Sequence, residues 1–216
     1  MSKIKCVLFD MDGTLSDTLD DLTVALNVML KFYNLPTRTR DEVRGMVGNG
    51  IDALILRGLP DTHKHLFDEG CGNIFRAYYK AHLTDYTRPY DGVNEVIDTL
   101  KAKGIKIGIV SNKLQSPLED IVFNFWGNKI DAVVGITDSL PSKPYPDMVY
   151  ACLKEMDTSL ADAIYIGDSL VDLQTATNAG AKFIACSWGF ATREALLNAG
   201  ATEIIDHPSE VLKYLE

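Results

Sequence analysis

The chain has 216 residues, of which 46% are hydrophobic and 24% are charged. This balance supplies enough apolar side chains for a sizeable core, and it excludes a disordered chain, a disulfide-dependent miniprotein and a fibrous repeat. Lysine and arginine total 21 against 30 acidic residues, so the net charge is −9. An acidic chain is poorly suited to bind nucleic acid or anionic membranes non-specifically. No stretch approaches the roughly 20 apolar residues of a membrane span, and the first apolar run is too short for a signal sequence. We therefore expect a cytoplasmic protein with no membrane or nucleic-acid partner.

The first half of the chain changes from a strand pattern to helical patterns. Residues 4–9 form a short apolar run that ends at Asp-Met-Asp-Gly, which predicts a buried strand leading into a loop. Apolar residues then recur at three- and four-residue steps from Leu19 to Tyr33, which predicts an amphipathic helix. Further helical patterns follow at residues 41–46, 51–59 and 64–83. The segment between Asp17 and Arg88 is therefore predicted to be all-helical.

From Pro89 onward, predicted strands and helices alternate. The strands are expected at residues 105–110, 131–136, 163–166, 181–186 and 203–205. Ser116 to Glu119 has the form of a capping box at the start of the helix after the second strand. The alternation predicts an α/β fold, a Rossmann-like parallel sheet covered by helices on both faces, with one α-helical insertion after its first strand.

Polar residues occur where the predicted strands end. These residues are Asp10 and Asp12 after the first strand, Ser111 and Asn112 after the second, Lys143 in the loop after the third, and Asp168 and Asp172 after the fourth. Taken singly, each aspartate fits better as a turn former or a helix cap than as a functional residue. Together and in this order they converge on one sheet edge, where open parallel sheets bind ligands.

Four carboxylates in one crevice require a compensating cation, and oxygen ligands near phosphate favour Mg²⁺. A lysine beside them suits an anionic substrate group. A carboxylate facing that group can act as a nucleophile, and a neighbour two residues away can donate a proton to the leaving group. The pattern therefore indicates phosphoryl chemistry.

The four motifs resemble those of the haloacid dehalogenase superfamily of phosphohydrolases. Asp10-Met-Asp-Gly-Thr14 resembles the DxDGT signature, and Val110-Ser111-Asn112 resembles the second motif. Lys143-Pro144-Tyr145-Pro146 is similar to KPxP, and Gly167 to Asp172 is similar to GDxxxD. The superfamily's fold, a Rossmann-like core with an inserted cap, is therefore expected here.

The resemblance implies a role for each matched residue. Asp10 is expected to be the nucleophile and a Mg²⁺ ligand, and Asp12 the general acid and base with its backbone carbonyl on the metal. Asp168 is expected to coordinate Mg²⁺, and Asp172 to bind the ion directly or through water. The residues expected to contact substrate or the transferring phosphoryl group are Ser111, Asn112, Lys143 and Thr14, with Lys143 also neutralising Asp10 and Thr14 also supporting the loop.

The resemblance also assigns residues 15–88 to an α-helical cap, and residues 1–14 and 89–216 to the core. Gly48, Asn49 and Gly50 resemble a substrate-specificity loop of such a cap, although an ordinary interhelical turn explains them equally well. Arg44 and Arg57 fit either contact with a substrate carboxylate or a solvated surface.

The reaction expected from this resemblance is Mg²⁺-dependent hydrolysis of a small phosphate ester, with 2-phosphoglycolate as the first candidate. The alternatives are a β-phosphoglucomutase-like mutase, a pyrophosphatase or nucleotidase of the same superfamily, or a catalytically silent module. The protein is expected to work as a monomer or a homodimer.

Overall fold

The computed structural model describes residues 4–215. Two compact units divide the chain: the first contains the residues up to Ser16 together with those from Pro89 onward, and the second is Asp17–Arg88. The segments that join the units, β2 (Ser16–Asp17) and β3 (Arg88–Pro89), pair as a two-stranded sheet. The expected cap at residues 15–88 differs from the second unit by two residues, and its role as a cap stays a prediction.

The first unit is built on a six-stranded sheet whose identified pairings are parallel. Its strands are β1 (Cys6–Phe9), β4 (Lys106–Leu114), β5 (Ala132–Ile136), β6 (Ala163–Gly167), β7 (Lys182–Cys186) and β8 (Ile204–Ile205). Their order across the sheet is β5-β4-β1-β6-β7-β8. The chain therefore builds outward from β1 in one direction and later in the other, which makes the edge beside β1 a topological switch point.

The strands are buried because apolar residues occupy both of their faces. Every residue of β1 and β6 is buried. Since successive side chains point to opposite faces of a sheet, both faces are covered at these strands. The helices of this unit are α6 (Val93–Ala102), α7 (Gln115–Trp126), α8 (Asp147–Glu155), α9 (Leu170–Ala179) and α10 (Arg193–Asn198). The α/β prediction is confirmed.

Two local expectations near the second strand of this sheet are wrong. Ser111 and Asn112 lie inside β4 and not after it, because β4 continues to Leu114 through a register shift against β5. The following helix begins at Gln115, and no side chain caps it. Gln115 instead donates to Glu119 and to the backbone of β5, which replaces the expected capping box.

The second unit is helical. Its helices are α1 (Leu19–Phe32), α2 (Arg40–Arg44), α3 (Gly50–Gly58), α4 (His65–Asp68) and α5 (Gly72–Ala81). The expected long helix over residues 64–83 is broken, because Gly70 takes a φ of +87° between α4 and α5. Over residues 4–215, no helix combines the length and hydropathy that spanning a bilayer requires.

A buried carboxylate links the two ends of the second unit. Asp21 on α1 is 3% exposed and accepts hydrogen bonds from the backbone of Tyr86 and from both the backbone and the hydroxyl of Thr87. These bonds satisfy donors that the fold removes from water, since Thr87 is fully buried.

Replacing Asp21 with alanine is expected to destabilise this unit by about 3 kcal/mol, because buried donors then lose their acceptor. The matched control is Asp20→Ala, which removes a half-exposed partner of Arg40 and costs less than about 1 kcal/mol. Hydrogen-exchange mass spectrometry of peptides from residues 17–88 compares the two variants. Equal loss of protection in both would contradict the assignment.

Candidate active site

Three buried carboxylates meet at the carboxyl edge of the core sheet. Asp10 follows β1, and its backbone N–H donates to Ile166 on the neighbouring β6 at 2.9 Å. Asp168 follows β6, and Asp172 lies in the first turn of α9. One oxygen from each of Asp10, Asp168 and Asp172 lies within 4.8 Å of the others. The predicted convergence of these residues is present.

Lys143 provides the positive charge of this cluster. Its Nζ lies 2.9 Å from Oδ1 of Asp10 and 2.7 Å from Oδ1 of Asp172, and the side chain is 2% exposed. Nζ also approaches the carbonyl of Val110 at 3.2 Å and the hydroxyl of Tyr165 at 3.3 Å. The ammonium group therefore sits between two acidic motifs that are far apart in sequence.

The charges of this cluster shift its pKa values in a consistent pattern. Burial, and next the charge of Asp172, raise the pKa of Asp10 well above its usual range. Burial and Asp172 also raise the pKa of Asp168 to about 7, against the lowering effect of its hydrogen bonds. Burial alone would lower the pKa of Lys143, but Asp10 and Asp172 raise it above its ordinary value. One ammonium group thus compensates the carboxylates incompletely.

The donor set fits a hard divalent cation. Buried carboxylate oxygens grouped this closely are the ligands that such ions take, and the remaining negative charge favours a cation among them. The position of Asp168 is fixed by Thr14, whose hydroxyl donates to Oδ1 at 2.9 Å, and by the N–H of Phe190, which donates to Oδ2 at 2.8 Å. Thr14 is 1% exposed, so its expected contact with substrate stays a prediction.

Asp172 is bound by protein donors at both oxygens. Oδ1 accepts from the hydroxyl of Tyr165 at 2.7 Å as well as from Lys143. Oδ2 accepts from the backbone and the hydroxyl of Ser169, which caps α9 in a capping box. A metal ion at Asp172 competes with these donors, which favours contact through water over direct ligation.

The second motif holds the third through backbone contacts. The side-chain amide of Asn112 accepts from the N–H of Lys143 at 2.8 Å and donates to the carbonyl of Lys143 at 3.1 Å. Asn178 donates to the carbonyl of Pro144 at 2.8 Å. The backbone on both sides of the Lys143 side chain is therefore fixed.

Ser111 precedes Asn112 on β4 and is also buried. Its Oγ accepts a hydrogen bond from the N–H of Lys113 at 3.3 Å. The phosphoryl contacts expected of Ser111 and Asn112 stay predictions.

Two residues of the site escaped the sequence analysis. Tyr165 lies in an apolar strand, and this pattern predicts a core side chain. Its hydroxyl nevertheless contacts both Asp172 and Lys143. Lys113 directly follows Asn112, and its Nζ lies 3.1 Å from Oδ1 of Asp12. A charged residue inside a buried strand was the available signal for Lys113.

The expected specificity loop lies in the second unit. Asn49 accepts from Arg57 at 2.7 Å, and Arg57 also donates to the carbonyl of Met46 at 2.7 Å. Arg57 therefore braces the segment that contains Gly48, Asn49 and Gly50. Contact of these residues with a substrate stays a prediction.

Comparison with known proteins gives a consistent result. The sequence model of the haloacid dehalogenase-like hydrolase family matches residues 7–186. A phosphoglycolate phosphatase from Aquifex aeolicus is 30% identical over 99% of this chain and 97% of its own length. One from Caulobacter vibrioides is 35% identical over 92% of this chain and 85% of its own length.

A relative with a different named activity is nearly as similar. The N-acetylmuramic acid 6-phosphate phosphatase of Pseudomonas aeruginosa is 29% identical over 99% of this chain and 96% of its own length. Among solved structures, a predicted phosphoglycolate phosphatase from Haemophilus somnus 129pt superposes with a TM-score of 0.87 at 28% identity and covers both chains completely. Its fold and that of this chain are the same.

The carboxylate cluster depends on a glycine that allows close packing. Gly13 takes a φ of +92°, and a Cβ there would stand 2.3 Å from Oδ2 of Asp168. We expect a divalent cation such as Mg²⁺ to raise the melting temperature by binding to the folded state, and we expect Gly13→Ala to displace Asp168 and to abolish this rise. Gly104→Ala is the matched control, because its φ is +69° and nothing lies within 4 Å.

Both alanine variants are expected to lose about 1–2 kcal/mol of stability from the left-handed backbone. Differential scanning calorimetry with and without Mg²⁺ separates this shared cost from the loss of ion binding. A Gly13→Ala variant that still responds to Mg²⁺ as strongly as Gly104→Ala would refute the role of close packing here.

Proposed function

We propose a specific reaction for this phosphatase, which belongs to the haloacid dehalogenase-like hydrolase family: the hydrolysis of a small phosphate monoester through a phosphorylated Asp10, with Mg²⁺ as cofactor. The observation that carries the proposal is the pairing of Asp10 with the buried ammonium of Lys143 at 2.9 Å. That ammonium lowers the pKa of Asp10 against the raising effect of burial and Asp172, and it provides a counter-charge for the phosphoryl oxygens.

The first step transfers the phosphoryl group to the protein. A carboxylate oxygen of Asp10 attacks phosphorus, the bond between phosphorus and the ester oxygen breaks, and Asp12 donates its proton to that oxygen. The products are an alcohol and an aspartyl phosphate. Asp10 and Asp12 are separated by one residue of the loop after β1, which places both carboxyl groups on the same segment.

The second step releases phosphate. Asp12, now a carboxylate, accepts a proton from water, and the water oxygen attacks phosphorus. The bond between phosphorus and Asp10 breaks, which restores the nucleophile and leaves inorganic phosphate. When bound at the carboxylate cluster, Mg²⁺ supplies charge compensation for the transferring group. The residues proposed to hold it are Asp10, Asp168 and the backbone carbonyl of Asp12, with Asp172 through water.

Asp12 favours phosphate esters over other substrates of the superfamily. An ester oxygen that leaves as an alkoxide needs a proton, whereas dehalogenation and phosphonate hydrolysis do not. The presence of an acid at this position therefore supports phosphomonoester chemistry. The helical unit is proposed to act as the cap that excludes water while the phosphoryl group moves.

The proposed substrate is 2-phosphoglycolate. It is the substrate named for several relatives at about this level of identity, including those from Aquifex aeolicus and Caulobacter vibrioides. The relative named for N-acetylmuramic acid 6-phosphate makes bulkier sugar phosphates the strongest competing class. A mutase shares the core chemistry, but it returns the phosphoryl group to a sugar and releases no net phosphate.

Phosphate release identifies both the reaction and the substrate. The panel contains 2-phosphoglycolate, N-acetylmuramic acid 6-phosphate, pyrophosphate, nucleoside monophosphates, hexose phosphates and p-nitrophenyl phosphate. We expect the highest kcat/KM for 2-phosphoglycolate, and we expect Asp10→Asn to reduce it by more than about 10⁴-fold because the nucleophile is lost. Asp98→Asn, an exposed aspartate of the same unit paired with Lys129, is the control with unchanged activity.

Other outcomes have defined meanings. Release from many esters that Asp10→Asn abolishes keeps the mechanism and rejects 2-phosphoglycolate as the specific substrate. No release from any compound by folded protein rejects the phosphomonoesterase proposal and favours the mutase, which sugar-bisphosphate-dependent interconversion then tests.

Removal of the metal provides an independent test of the cofactor. We expect a chelator to abolish phosphate release and added Mg²⁺ to restore it, because the buried carboxylates then lack a counter-ion. Asp168→Asn is expected to weaken Mg²⁺ binding. The Mg²⁺ concentration needed for half-maximal rate then rises at least about 10-fold. Full activity of metal-free protein would contradict the proposed cofactor.

A further inference from the structure

Lys113 carries an ammonium group that the steps above do not use. Its side chain is 2% exposed, and Nζ lies 3.1 Å from Oδ1 of Asp12. A buried ammonium group is costly unless a carboxylate compensates it, and removal of one partner leaves the other uncompensated. This ion pair therefore couples the position of Lys113 to that of Asp12.

The backbone around Lys113 is held from two sides. The N–H of Lys113 donates to Oγ of Ser111 at 3.3 Å. A Cβ on Gly135 would stand 2.6 Å from the carbonyl oxygen of Lys113, so β4 and β5 approach closely at this point. The register of β4 shifts between Val110 and Leu114. Such irregularities re-aim side chains next to a site, and here the Lys113 side chain reaches Asp12.

The two oxygens of Asp12 have different surroundings. Oδ1, the oxygen 3.1 Å from Nζ of Lys113, is buried and accepts no hydrogen bond from residues 4–215, so its contact with the ammonium group is an ion pair. The side chain as a whole keeps 17% of its surface exposed, and this exposed surface belongs to its other atoms. Oδ1 therefore faces a buried cation, and Oδ2 is the candidate oxygen for proton transfer.

We propose that Lys113 is a positioning residue for the general acid and base, an inference that rests on the proposed function of Asp12. The ammonium group holds Oδ1 and thereby fixes the rotamer of the Asp12 side chain. From this rotamer, Oδ2 donates its proton to the ester oxygen and later accepts a proton from water. Without the ammonium group, the Asp12 side chain samples other staggered rotamers. The first step then slows for esters whose leaving oxygen needs the proton from Asp12, and not for esters whose leaving group departs without it.

A purely structural role predicts a different result. If Lys113 only stabilised the loop after β1, its loss would impair every substrate alike, because all of them use Asp10. A positioning role makes the loss depend on the leaving group. An alkoxide needs the proton from Asp12, and p-nitrophenolate departs without one. Since kcat/KM reports the steps up to release of the alcohol, it isolates this difference.

The experiment compares kcat/KM for 2-phosphoglycolate and p-nitrophenyl phosphate in the presence of Mg²⁺, with glucose 6-phosphate as a second alkyl ester. We expect Lys113→Met to lower kcat/KM for the alkyl esters about 10- to 100-fold and to change it less than about 3-fold for the aryl ester. Lys113→Arg, which keeps the charge, is expected to recover most of the loss. Lys106→Met, on the same strand and bonded to the carbonyl of Met156, is the control with unchanged kinetics.

A double-mutant cycle with Asp12→Asn completes the test. If Lys113 acts through Asp12, Lys113→Met causes no further loss in the Asp12→Asn protein. Equal losses for alkyl and aryl esters, or an additive loss in the double variant, would overturn the role of Lys113 while the proposed function stands. Absence of hydrolysis of all three esters by the wild-type protein would overturn the proposed function and this inference with it. Calorimetry confirms that each variant is folded before its kinetics are compared.

Discussion

Three buried carboxylates lie together at the carboxyl edge of the sheet, and the buried ammonium group of Lys143 offsets part of their charge. Lys143 lies within 3 Å of both Asp10 and Asp172. An ionised carboxylate buried this deeply without a cation beside it would destabilise the fold. The same pairing suits the proposed chemistry, because a cation beside Asp10 lowers the pKa that burial raises and offsets the charge of an anionic phosphoryl group. The stability of this cluster and the proposed reactivity of Asp10 thus share one interaction.

The sheet topology makes this balance possible. Because β1 is central and is flanked by β4 and β6, residues from three distant parts of the sequence end at one edge. Asp10 and Asp168 come from adjacent strands, and Lys143 enters from the loop that follows β5. The charges are therefore placed by parallel strand order. Local contacts then orient each side chain. Ser169, for example, hydrogen-bonds to Asp172 as the N-cap of α9.

The sequence predicted the sheet, its helical insertion and the convergence of the acidic motifs, because hydrophobic period and strand-end position report these features directly. It did not predict that Ser111 and Asn112 lie inside β4. A register shift depends on how two strands pair, which no single strand records. Tyr165 was missed for a related reason: its ring belongs to the core pattern, and the contact of its hydroxyl with Asp172 exists in the tertiary structure alone. Gly70 ended a helix whose periodicity continued past it.

The bonds around Lys143 have a consequence for how this protein can diverge. The side-chain amide of Asn112 hydrogen-bonds to both the N–H and the carbonyl of Lys143. The side chain of Asn178 donates a hydrogen bond to the carbonyl of Pro144. The position of the ammonium group thus depends on side chains from β4 and α9. A substitution at Asn112 or Asn178 would therefore move the charge of the site without changing any of its charged residues.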